Sequence, residues 1–404
     1  MATGAVAGLV LGGALVAAAA VPLSSGAPTL RLHLASASAT GPTPTLPFPS
    51  QGESAVEIPT LKFKKHTKDQ RPQPIASLTK LMTAYVALHT MALAPTASGP
   101  SIDVGPGDVD VYREDIATNQ SSVKVAAGEV LTERQVLEGM LVHSANNFAV
   151  LLAEMVAGST SAMVSDMNAT AARLGLGSTT YADVSGFDPA SESSAVDQLH
   201  LAALLMRDPT FAKIVRLTQV WLPVAGVVQS YTPGIVSLPG FPSQRGVVGT
   251  KSGVTSEAGG CDVMAYDARV GAHEVQVLAV VLGQFSQTPG RSNLAAAGHS
   301  AFALVRGTVE HLRAWKVALA RHEVGTLGWG AQTVPVLAYS TVNVPVFTSI
   351  DGTATVRDET WPASRVASGR ALARLFVTSG AYREVTDLVT GATLTRASLW
   401  QRLR

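Results

Sequence analysis

The chain has 404 residues, which is enough for two or three domains with sizeable cores. Apolar residues make up 47% and charged residues 15%, which excludes a disordered or highly charged chain. The formal net charge of +1 gives no reason to expect nucleic acid as a partner. The single cysteine, Cys261, excludes a disulfide framework or a Cys-based zinc site within one chain, and it is interpreted as a small buried hydrophobe.

The start of the chain predicts an export signal or a membrane anchor over residues 1–26. Residues 5–23 carry no charge and consist of apolar and small side chains. No Lys or Arg precedes them, since the first basic residue is Arg31, and cleavage after the segment stays open. Residues 27–54 are rich in Ser, Thr and Pro, and they predict an extended linker with no core of its own.

Residues 55–318 alternate apolar helical patterns with short strand-like runs. Thr132 and Gln135 form a capping box in front of an apolar helical pattern. The run E-V-Q-V-L-A-V-V-L-G predicts a buried strand that pairs with the preceding C-D-V-M-A-Y-D-A. Residues 301–315 predict the helix that closes this region. Short β-rich runs separated by glycine turns follow, and they predict a small all-β domain over residues 319–404.

Ser77 and Lys80 stand three residues apart in I-A-S-L-T-K-L-M-T-A-Y-V, at the start of an apolar helical run. Because residues i and i+3 share a helix face, the Lys80 amine can reach the Ser77 hydroxyl. Burial or a nearby positive charge keeps such an amine neutral, and a neutral amine can take the hydroxyl proton. Pro74 predicts that the helix begins near Ser77, which aims backbone N–H groups at an oxyanion. The alternative is a surface serine beside a solvated lysine.

A second polar segment, Ser144-Ala145-Asn146, lies between two apolar helical segments in L-V-H-S-A-N-N-F-A-V-L-L-A-E. Ser144 is suited to relay a proton, and Asn146 is suited to hold Lys80 and a substrate amide. The alternative is a helix junction that is capped by Ser144 and Asn146. The neighbouring His143 is interpreted as a packing or solvent-facing residue.

A third segment, K-S-G in V-V-G-T-K-S-G-V-T-S-E-A-G-G, suits an edge strand along which a substrate lies. Lys251 attracts a carboxylate, and the hydroxyls of Ser252 and Thr255 can hydrogen-bond it. Gly253 lets the substrate approach the backbone. Lys251 near Lys80 would also help to keep the Lys80 amine neutral. The alternative is an ordinary turn entry.

In this order, the three segments match the S-x-x-K, S-D-N and K-T-G set of penicillin-binding proteins and serine β-lactamases. The chain resembles the D-alanyl-D-alanine carboxypeptidases, which are low-molecular-mass penicillin-binding proteins. The segments A-S-L-T-K-L-M-T-A, G-E-V-L-T, M-L-V-H-S-A-N-N-F-A, D-V-S-G-F-D and G-T-K-S-G-V-T also occur in family order, so the resemblance covers residues 70–310. The final β-rich stretch, ending A-S-L-W-Q-R-L, is similar to the C-terminal domain of actinobacterial members.

The resemblance implies that Ser77 is the nucleophile and Lys80 the base, and that Ser144 and Asn146 complete the catalytic group. The implied oxyanion hole consists of the backbone N–H groups of Ser77 and Val254. The residues predicted to bind substrate are Lys251, Ser252, Gly253, Val254, Thr255 and Arg291. Arg291 lies where family members carry an arginine near the substrate carboxylate, and its alternative is a solvated surface arginine.

Three residues depart from the family pattern. Ser252 stands where this group usually has threonine, while Ala145 and Asn147 stand where the family often has glycine and aspartate. Ser252 keeps a hydroxyl group, so the departures bear on rate and specificity more than on mechanism.

The implied fold class is α/β (α+β), with a β-lactamase/transpeptidase-like domain over residues 55–318. In that domain, an antiparallel sheet flanked by helices and an all-helical lobe enclose the active-site cleft. The resemblance implies an extracytoplasmic serine carboxypeptidase that removes the terminal D-Ala from peptidoglycan stem pentapeptides through an acyl-enzyme. It implies no metal or other cofactor, β-lactams as covalent inhibitors, and no nucleic acid; the N-terminal apolar segment would supply any membrane tether.

Three alternatives stay open. A class A-like β-lactamase needs a second base for the deacylating water, and Glu192 is the only glutamate between Glu154 and Lys251. A D,D-endopeptidase or transpeptidase acting on crosslinks would use the same residues. An inactive cell-wall-binding scaffold on the same fold would be the non-enzymatic case.

Overall fold

The structure is a computed structural model that describes residues 28–34, 43–330, 332–348, 352–358 and 365–395. The export signal or anchor predicted over residues 1–26 lies outside the described residues, and so does the terminal A-S-L-W-Q-R-L segment. No single described helix is long and apolar enough to cross a membrane. One pair of helices, Asn146–Ala157 and Thr160–Arg173, passes that test only when the two are combined, and it is bent by 81° at the break.

Among the described residues, the first seven α-helices lie between residues 79 and 214, and the eighth follows at residues 293–309. The α-helices are α1 Thr79–Thr90, α2 Pro106–Ala117, α3 Glu133–Val142, α4 Asn146–Ala157, α5 Thr160–Arg173, α6 Ala195–Leu205, α7 Pro209–Ile214 and α8 Asn293–Val309. Two short 3-10 helices, Pro59–Leu61 and Ala76–Leu78, precede them. The predicted capping box starts α3, because the Thr132 hydroxyl accepts from the Gln135 backbone N–H and the Gln135 side chain accepts from the Thr132 N–H.

The strands before α8 are β1 Thr29–Leu32, β2 Glu53–Ile58, β3 Phe63–His66, β4 Gln73–Pro74, β5 Ser101–Asp103, β6 Val130–Thr132, β7 Glu192–Ser193, β8 Gln219–Leu222, β9 Gly226–Gln229, β10 Val247–Thr255, β11 Gly259–Val270 and β12 His273–Gln284. Those after α8 are β13 Leu312–Ala318, β14 Glu323–Trp329, β15 Gln332–Ala338, β16 Val342–Phe347, β17 Thr353–Asp358, β18 Arg365–Val366, β19 Ala371–Ser379, β20 Tyr382–Thr390 and β21 Leu394–Thr395. All paired strands in these two sets run antiparallel.

A five-stranded sheet in the order β10-β11-β12-β2-β3 supports the candidate site. Alternate side chains of β12 point to opposite faces, so Leu278 and Val280 join the core shared with the helices while Val277 and Ala279 join the core under α8. Burial on both faces explains the nearly continuous apolar run of this strand. The predicted pairing of β11 with β12 is confirmed.

The turn that carries Ser77 lies between this sheet and the helices. In α1, every residue from Thr79 to Leu88 is buried, including the polar Thr79, Lys80 and Thr83. A helix that is enclosed on all sides has no solvent-facing side from which a lysine side chain could reach water. The sequence therefore places the Lys80 amine inside the protein, at the point where α1 begins.

A separate six-stranded sheet, in the order β1-β14-β15-β20-β19-β17, forms the C-terminal β region. Its first strand comes from the other end of the chain, since Thr29 pairs with Gly328 and Leu32 with Gly325. Leu30 is buried in the core of this region. The prediction of a linker without a core is therefore wrong for Thr29–Leu32, because these residues complete a sheet edge almost 300 positions away in the chain.

The β region also begins earlier than the sequence predicted. The predicted helix over residues 301–315 ends at Val309, and Leu312–Ala318 form β13, which pairs with β16. Trp315 and Val317 pack into the C-terminal core. Pairing with a distant strand overrides the local helical pattern of residues 312–315.

Candidate active site

Ser77 and Lys80 lie on one helical face at the entrance to α1. Ser77 belongs to the 3-10 helix Ala76–Leu78, and the Lys80 Nζ lies 2.9 Å from the Ser77 Oγ. Ala76 adopts the left-handed φ of +48°, so the chain turns sharply just before Ser77. Ser77 stays partly exposed, whereas Lys80 is fully buried. The hydroxyl therefore faces the solvent side and the amine stands behind it.

Two further oxygen atoms surround the Lys80 amine. The Lys80 Nζ donates to Asn146 Oδ1 at 2.6 Å and to the backbone carbonyl of Ser185 at 2.8 Å. A neutral amine has two N–H groups and one lone pair. With both N–H groups engaged by Asn146 and Ser185, the lone pair is left for the proton of the Ser77 hydroxyl.

Burial lowers the pKa of Lys80 from its usual value to about 7. The negative charges of Asp183 and Asp115 oppose this shift, and they are the smaller influence. Near neutral pH, a substantial fraction of the amine is therefore uncharged, which is the condition for a lysine that accepts a proton.

The S-A-N segment forms the junction between α3 and α4. Ser144 has a φ of +65°, a conformation that L-residues with side chains rarely adopt, and Asn146 is the first residue of α4. Asn146 Nδ2 donates to Gln120 Oε1 at 2.5 Å, which fixes the amide so that its oxygen faces Lys80. Asn147 exchanges two hydrogen bonds with the backbone of Val123 and so stabilises the same junction.

The K-S-G segment lies on β10, which is the predicted edge strand of the five-stranded sheet. The buried Lys251 Nζ donates to Ser144 Oγ at 2.8 Å and to the Ser252 carbonyl at 2.7 Å. Burial is the main cause that holds the pKa of Lys251 well below its usual range, and the charge of Lys80 adds to it. The second and third segments thus meet through the Lys251–Ser144 hydrogen bond.

Gly253 brings β10 against the Ser77 turn. A Cβ atom at Gly253 would lie 2.5 Å from the Ser77 backbone N and 3.0 Å from the Ser77 Cβ, so only glycine fits. The next residue, Val254, is 48% exposed, and Thr255 Oγ1 accepts from the Ala258 N–H at the turn into β11. Ser252 Oγ donates to the Tyr231 carbonyl at 3.4 Å.

Arg291 is not joined to these residues. Its side chain lies beside Gly240, and the described residues contain no hydrogen bond or ion pair from its guanidinium to the K-S-G segment. Glu192, which a β-lactamase would need as a second base, lies on β7, where its backbone pairs with Thr180 and Pro74. The side chain of His143 contacts the Gln229 carbonyl and the Tyr231 ring, as expected for a packing residue.

The role of the loop that delivers the Ser185 carbonyl to Lys80 was not predicted from the sequence. The Asp183 carboxylate accepts from the N–H groups of Gly186 and Phe187 and from the Ser185 hydroxyl, which holds this loop against Lys80. Gly186 has a φ of +82°, and a Cβ there would overlap the Ala76 carbonyl. The loop lies within the quoted D-V-S-G-F-D segment, whereas nothing in the sequence singled out Gln120.

A cavity of about 540 Å³ adjoins the amine on the side of this loop. Asn146 and Ser185, which both bind Lys80, also form part of its wall. Its other lining residues include Asp115, Gln120, Val150, Asp183, Phe187 and Asp188. The described part of the chain contains no group of three or more His, Cys, Asp or Glu side chains that could hold a metal ion.

Comparison with known proteins agrees with this arrangement. A model of the D-alanyl-D-alanine carboxypeptidase family matches residues 55–286. The chain belongs to this family. The matched range contains all three segments and ends just before Arg291.

The relatives match different fractions of the chain. D-alanyl-D-alanine carboxypeptidase DacD of Escherichia coli (strain K12) is 30% identical over 188 residues, 46% of each chain, so this chain spans about half the length of that relative. The D-alanyl-D-alanine endopeptidase of Pseudomonas aeruginosa is 29% identical over 249 residues, 58% of this chain and 74% of the relative. The actinobacterial type suggested by the C-terminal stretch stays a prediction.

The fold class predicted from the sequence is confirmed. Penicillin-binding protein 6B from Escherichia coli superimposes with a TM-score of 0.58 at 20% identity, over 87% of this chain and 98% of that one. At this identity the likeness concerns the fold, and it includes the antiparallel sheet with its helices and the β-rich C-terminal region.

Proposed function

We propose that this protein is a serine-type D-alanyl-D-alanine carboxypeptidase that removes the terminal D-Ala from peptidoglycan stem peptides. The observation that carries the proposal is the Lys80 amine, fully buried and 2.9 Å from the Ser77 hydroxyl, with its pKa lowered to about 7. A buried neutral amine in contact with a partly exposed hydroxyl is the arrangement that activates a serine nucleophile.

In the acylation step, Ser77 Oγ attacks the carbonyl carbon between the two D-Ala residues, and its proton passes to Lys80 Nζ. The oxyanion is stabilised by the backbone N–H groups of Ser77 and Val254. The C–N bond then breaks, and the leaving amine takes the proton from Lys80, with the Ser144 hydroxyl as the relay. The product is an ester between Ser77 and the penultimate D-Ala.

In the deacylation step, a water molecule attacks the ester carbonyl and gives its proton to Lys80. The bond to Ser77 Oγ breaks, and the serine recovers the proton from Lys80. Asn146 keeps the amine in position through both steps, since its amide oxygen binds the Lys80 N–H and its amide nitrogen is held by Gln120.

The substrate carboxylate has its partners on β10. Lys251 supplies the positive charge, while Ser252 and Thr255 supply hydroxyl donors. Gly253 lets the peptide backbone approach the Ser77 turn. Arg291 stays a candidate for the same carboxylate, and binding would require its side chain to leave the neighbourhood of Gly240.

Intact-mass analysis after incubation with penicillin tests the proposal. We expect a stable penicilloyl adduct on the wild type and none on Ser77→Ala, because β-lactams acylate the nucleophile of such enzymes. Ser101→Ala, an exposed serine on β5, is the matched control and keeps the adduct. Absence of an adduct on folded wild-type protein would favour an inactive scaffold, and rapid drug hydrolysis without an adduct would favour a β-lactamase.

A D,D-endopeptidase activity is the second candidate, because the endopeptidase relative matches 58% of this chain. The same Ser77 chemistry would act on a crosslinked peptide. Incubation with a crosslinked muropeptide dimer and with a stem pentapeptide separates the two. Release of D-Ala from the pentapeptide with an intact dimer supports the carboxypeptidase.

The substrate implies an extracytoplasmic location, and the apolar residues 5–23 would direct export or tether the protein to the membrane. Fractionation of cells followed by mass spectrometry of the mature N-terminus tests both. An N-terminus downstream of residue 20 in the soluble envelope fraction supports cleavage. An uncleaved protein in the membrane fraction supports the tether.

A further inference from the structure

The hairpin of β8 and β9 exposes large apolar side chains on one face. Trp221 and Val227 are cross-strand partners, and they are 61% and 55% exposed. On the opposite face, Val220 and Leu222 are buried in the core shared with the helices. Exposed apolar surface is a common mark of a binding site, and tryptophan is among the side chains that contribute most to binding. The outer face of this hairpin is therefore a candidate binding surface.

The hairpin is held at its tip and at its base, so its outer face keeps a fixed shape. At the tip, the Val224 N–H donates to the Glu129 carboxylate at 3.1 Å. At the base, the Gln229 carbonyl lies 2.8 Å from Nδ1 of His143. An isolated two-stranded hairpin is only marginally stable, and these contacts supply the support that it needs. A surface that is already ordered loses little entropy when it binds a ligand.

The outer face is continuous with the site around Ser77. Tyr231 follows two residues after β9, and its exposed ring packs on His143 beside the second segment. The Tyr231 carbonyl accepts from Ser252 Oγ in the third segment. A strand rises about 3.3 Å per residue, so Val227 lies about 13 Å along the chain from Tyr231. The apolar pair and the proposed carboxylate site are thus at two ends of one surface.

The direction of the substrate along β10 decides which part of it is directed at this surface. The proposed oxyanion hole uses the Val254 N–H, and the proposed carboxylate partner Lys251 stands three residues earlier on the same strand. The terminal residue of the substrate therefore extends from Val254 toward Ser252, beside which Tyr231 lies. The acyl part extends the opposite way, toward the turn into β11. Groups on the leaving side of the scissile bond are the ones directed at the hairpin.

The distance to the apolar pair requires a leaving group longer than one residue. A single extended residue spans at most about 3.6 Å, so a D-Ala leaving group ends in the carboxylate site. In a crosslinked substrate, the leaving amine belongs to a second peptide strand. About four extended residues of that strand cover the distance from Tyr231 to the pair of Trp221 and Val227.

The chemistry of the outer face also suits a peptide. Residues 217–244 carry no acidic, basic or histidine side chain, so the face offers no cation to an anionic lipid headgroup or a phosphate polymer. Between the apolar pair and Tyr231, Gln229 Nε2 donates to Gln219 Oε1 at 2.9 Å. Their remaining amide groups can exchange hydrogen bonds with a peptide backbone, while the Trp221 ring covers apolar side chains.

We propose that the outer face of the β8–β9 hairpin binds the second peptide strand of a crosslinked substrate, the strand that carries the leaving amine. This inference rests on the proposed function, and it gives the endopeptidase reaction a binding surface of its own. The chemistry at Ser77 is unchanged. Ser77 Oγ bonds to the D-Ala carbonyl carbon, the C–N bond breaks, and the second strand leaves as an amine with the proton that Lys80 held.

The experiment compares two substrates without sugars, a stem pentapeptide and a crosslinked peptide dimer, in the full-length wild type and Trp221→Ala. For the dimer, kcat/KM should fall about tenfold or more, mainly through a higher KM, because the lost ring contacts only the second strand. Cleavage of the pentapeptide and acylation by penicillin should change by less than about twofold, since neither ligand reaches the hairpin. Val227→Ser should weaken cleavage of the dimer in the same direction.

Two further measurements separate binding from folding and from chemistry. Tyr339→Ala is the matched control, because Tyr339 is an aromatic residue of the C-terminal β region that is 70% exposed, and its dimer kinetics should equal those of the wild type. Ser77→Ala binds the dimer without cleaving it. Adding Trp221→Ala to Ser77→Ala should raise the dissociation constant of the dimer about tenfold, with an unchanged melting temperature.

The outcomes distinguish the inference from the proposed function. Equal dimer kinetics in wild type and Trp221→Ala, or equal losses on dimer and pentapeptide, overturn the inference and leave the proposed function standing. A wild type that cleaves the pentapeptide but neither cleaves nor binds the dimer has the same meaning.

Other occupants of the face would also overturn the inference. They would be revealed by Trp221-dependent binding to phosphatidylcholine vesicles, by Trp221-dependent self-association of the chain, or by a Trp221 effect that appears only when the dimer carries its sugars. If the wild type forms no penicillin adduct and cleaves neither substrate, the proposed function fails and the inference fails with it.

Discussion

Lys80 shows how strongly burial lowers the pKa of a common basic residue. A lysine in water titrates near 10.4 and carries its charge at neutral pH. Here the helix around Lys80 is enclosed on all sides, and the pKa falls to about 7. The carboxylates of Asp183 and Asp115 limit this fall in pKa, so they increase the fraction of the Lys80 amine that is protonated at a given pH.

The first prediction concerns the acidic limb of the pH profile. Below a pH of about 7, Lys80 becomes protonated, and the acylation rate should fall about tenfold for each further pH unit. Asp115→Asn removes a negative charge that raises the Lys80 pKa, so its limb should move to lower pH. Stopped-flow measurement of penicillin acylation gives the acidic limb of the wild type and that of the variant. A limb that moves to higher pH in Asp115→Asn would contradict the electrostatic account.

The second prediction concerns the backbone conformation and the hydroxyl group of Ser144. Its φ of +65° suits glycine, so Ser144→Gly should be more stable than Ser144→Ala by about 1 kcal/mol. Both variants lack the hydroxyl that binds Lys251, and both should lose acylation by about a hundredfold if that hydroxyl relays the proton. Thermal melting and penicillin acylation are measured in parallel. Full activity in Ser144→Gly would show that the hydroxyl has no catalytic role.

The site residues that could be predicted from the sequence are those that contact each other locally or that lie together in a short segment. The i, i+3 spacing of Ser77 and Lys80 fixes their contact once a helix forms. Gln120 could not be found this way, because it meets Asn146 only through the packing of the helical region. This contact leaves no periodic signal in the sequence.

At the scale of elements, the site depends on how closely β10 approaches the turn before α1. Ser77 lies on a 3-10 helix, Ser144 in the junction between α3 and α4, and Lys251 on β10. The close approach at Gly253 sets the distance between strand and turn. The S-A-N junction is fixed independently by the hydrogen bonds of Asn147 to Val123.

The third prediction tests that approach. In Gly253→Ala, the added Cβ would lie 2.5 Å from the Ser77 backbone N, so β10 and the turn must move apart. We expect acylation to fall at least tenfold, since oxyanion and carboxylate contacts both depend on this spacing. Gly107→Ala in α2, where a Cβ meets open space, is the matched control and should keep its rate. Equal rates in both variants would show that the spacing is not critical.

Two segments form strands that their local sequence does not predict, and the physical reason is the same in both. Residues 312–315 continue a helical pattern but pair as part of β13, and Thr29–Leu32 lie in a Ser/Thr/Pro-rich stretch but pair as β1. In both cases the partner strand is distant in the chain, and the pairing overrides local composition. The long runs of β11 and β12, by contrast, predicted their own pairing, because burial on both faces gives a nearly continuous apolar sequence.

At the scale of the molecule, the two sheets are connected through the turn between β11 and β12. His273, at the start of β12, lies 3.0 Å from the Glu384 carboxylate on β20, and the Tyr382 hydroxyl donates to the Glu274 carbonyl. Glu384 also accepts from the Asn343 N–H. β11 pairs with the K-S-G segment near its first residues. At the opposite end of β11, the turn into β12 brings His273 and Glu274 into contact with the C-terminal β region.

The fourth prediction concerns the edge strand β1. A variant that begins at residue 35 lacks Leu30, whose side chain is buried in the C-terminal core, and exposes the edge of β14. We expect faster hydrogen exchange in β14 and a lower melting temperature. Penicillin acylation should be retained, because β1 does not belong to the five-stranded sheet that carries the K-S-G segment. Unchanged protection of β14 amides would contradict the pairing.

The position of β1 also determines how the protein responds to a mechanical load. Tension applied to the chain at Pro28 reaches the β1–β14 hydrogen bonds before it reaches β2, which belongs to the five-stranded sheet beside Ser77. Pulling along β1 loads all of these bonds at once, whereas pulling across it breaks them one after another. The C-terminal sheet therefore absorbs such tension first, and the cleft around Ser77 keeps its geometry while β1 stays paired.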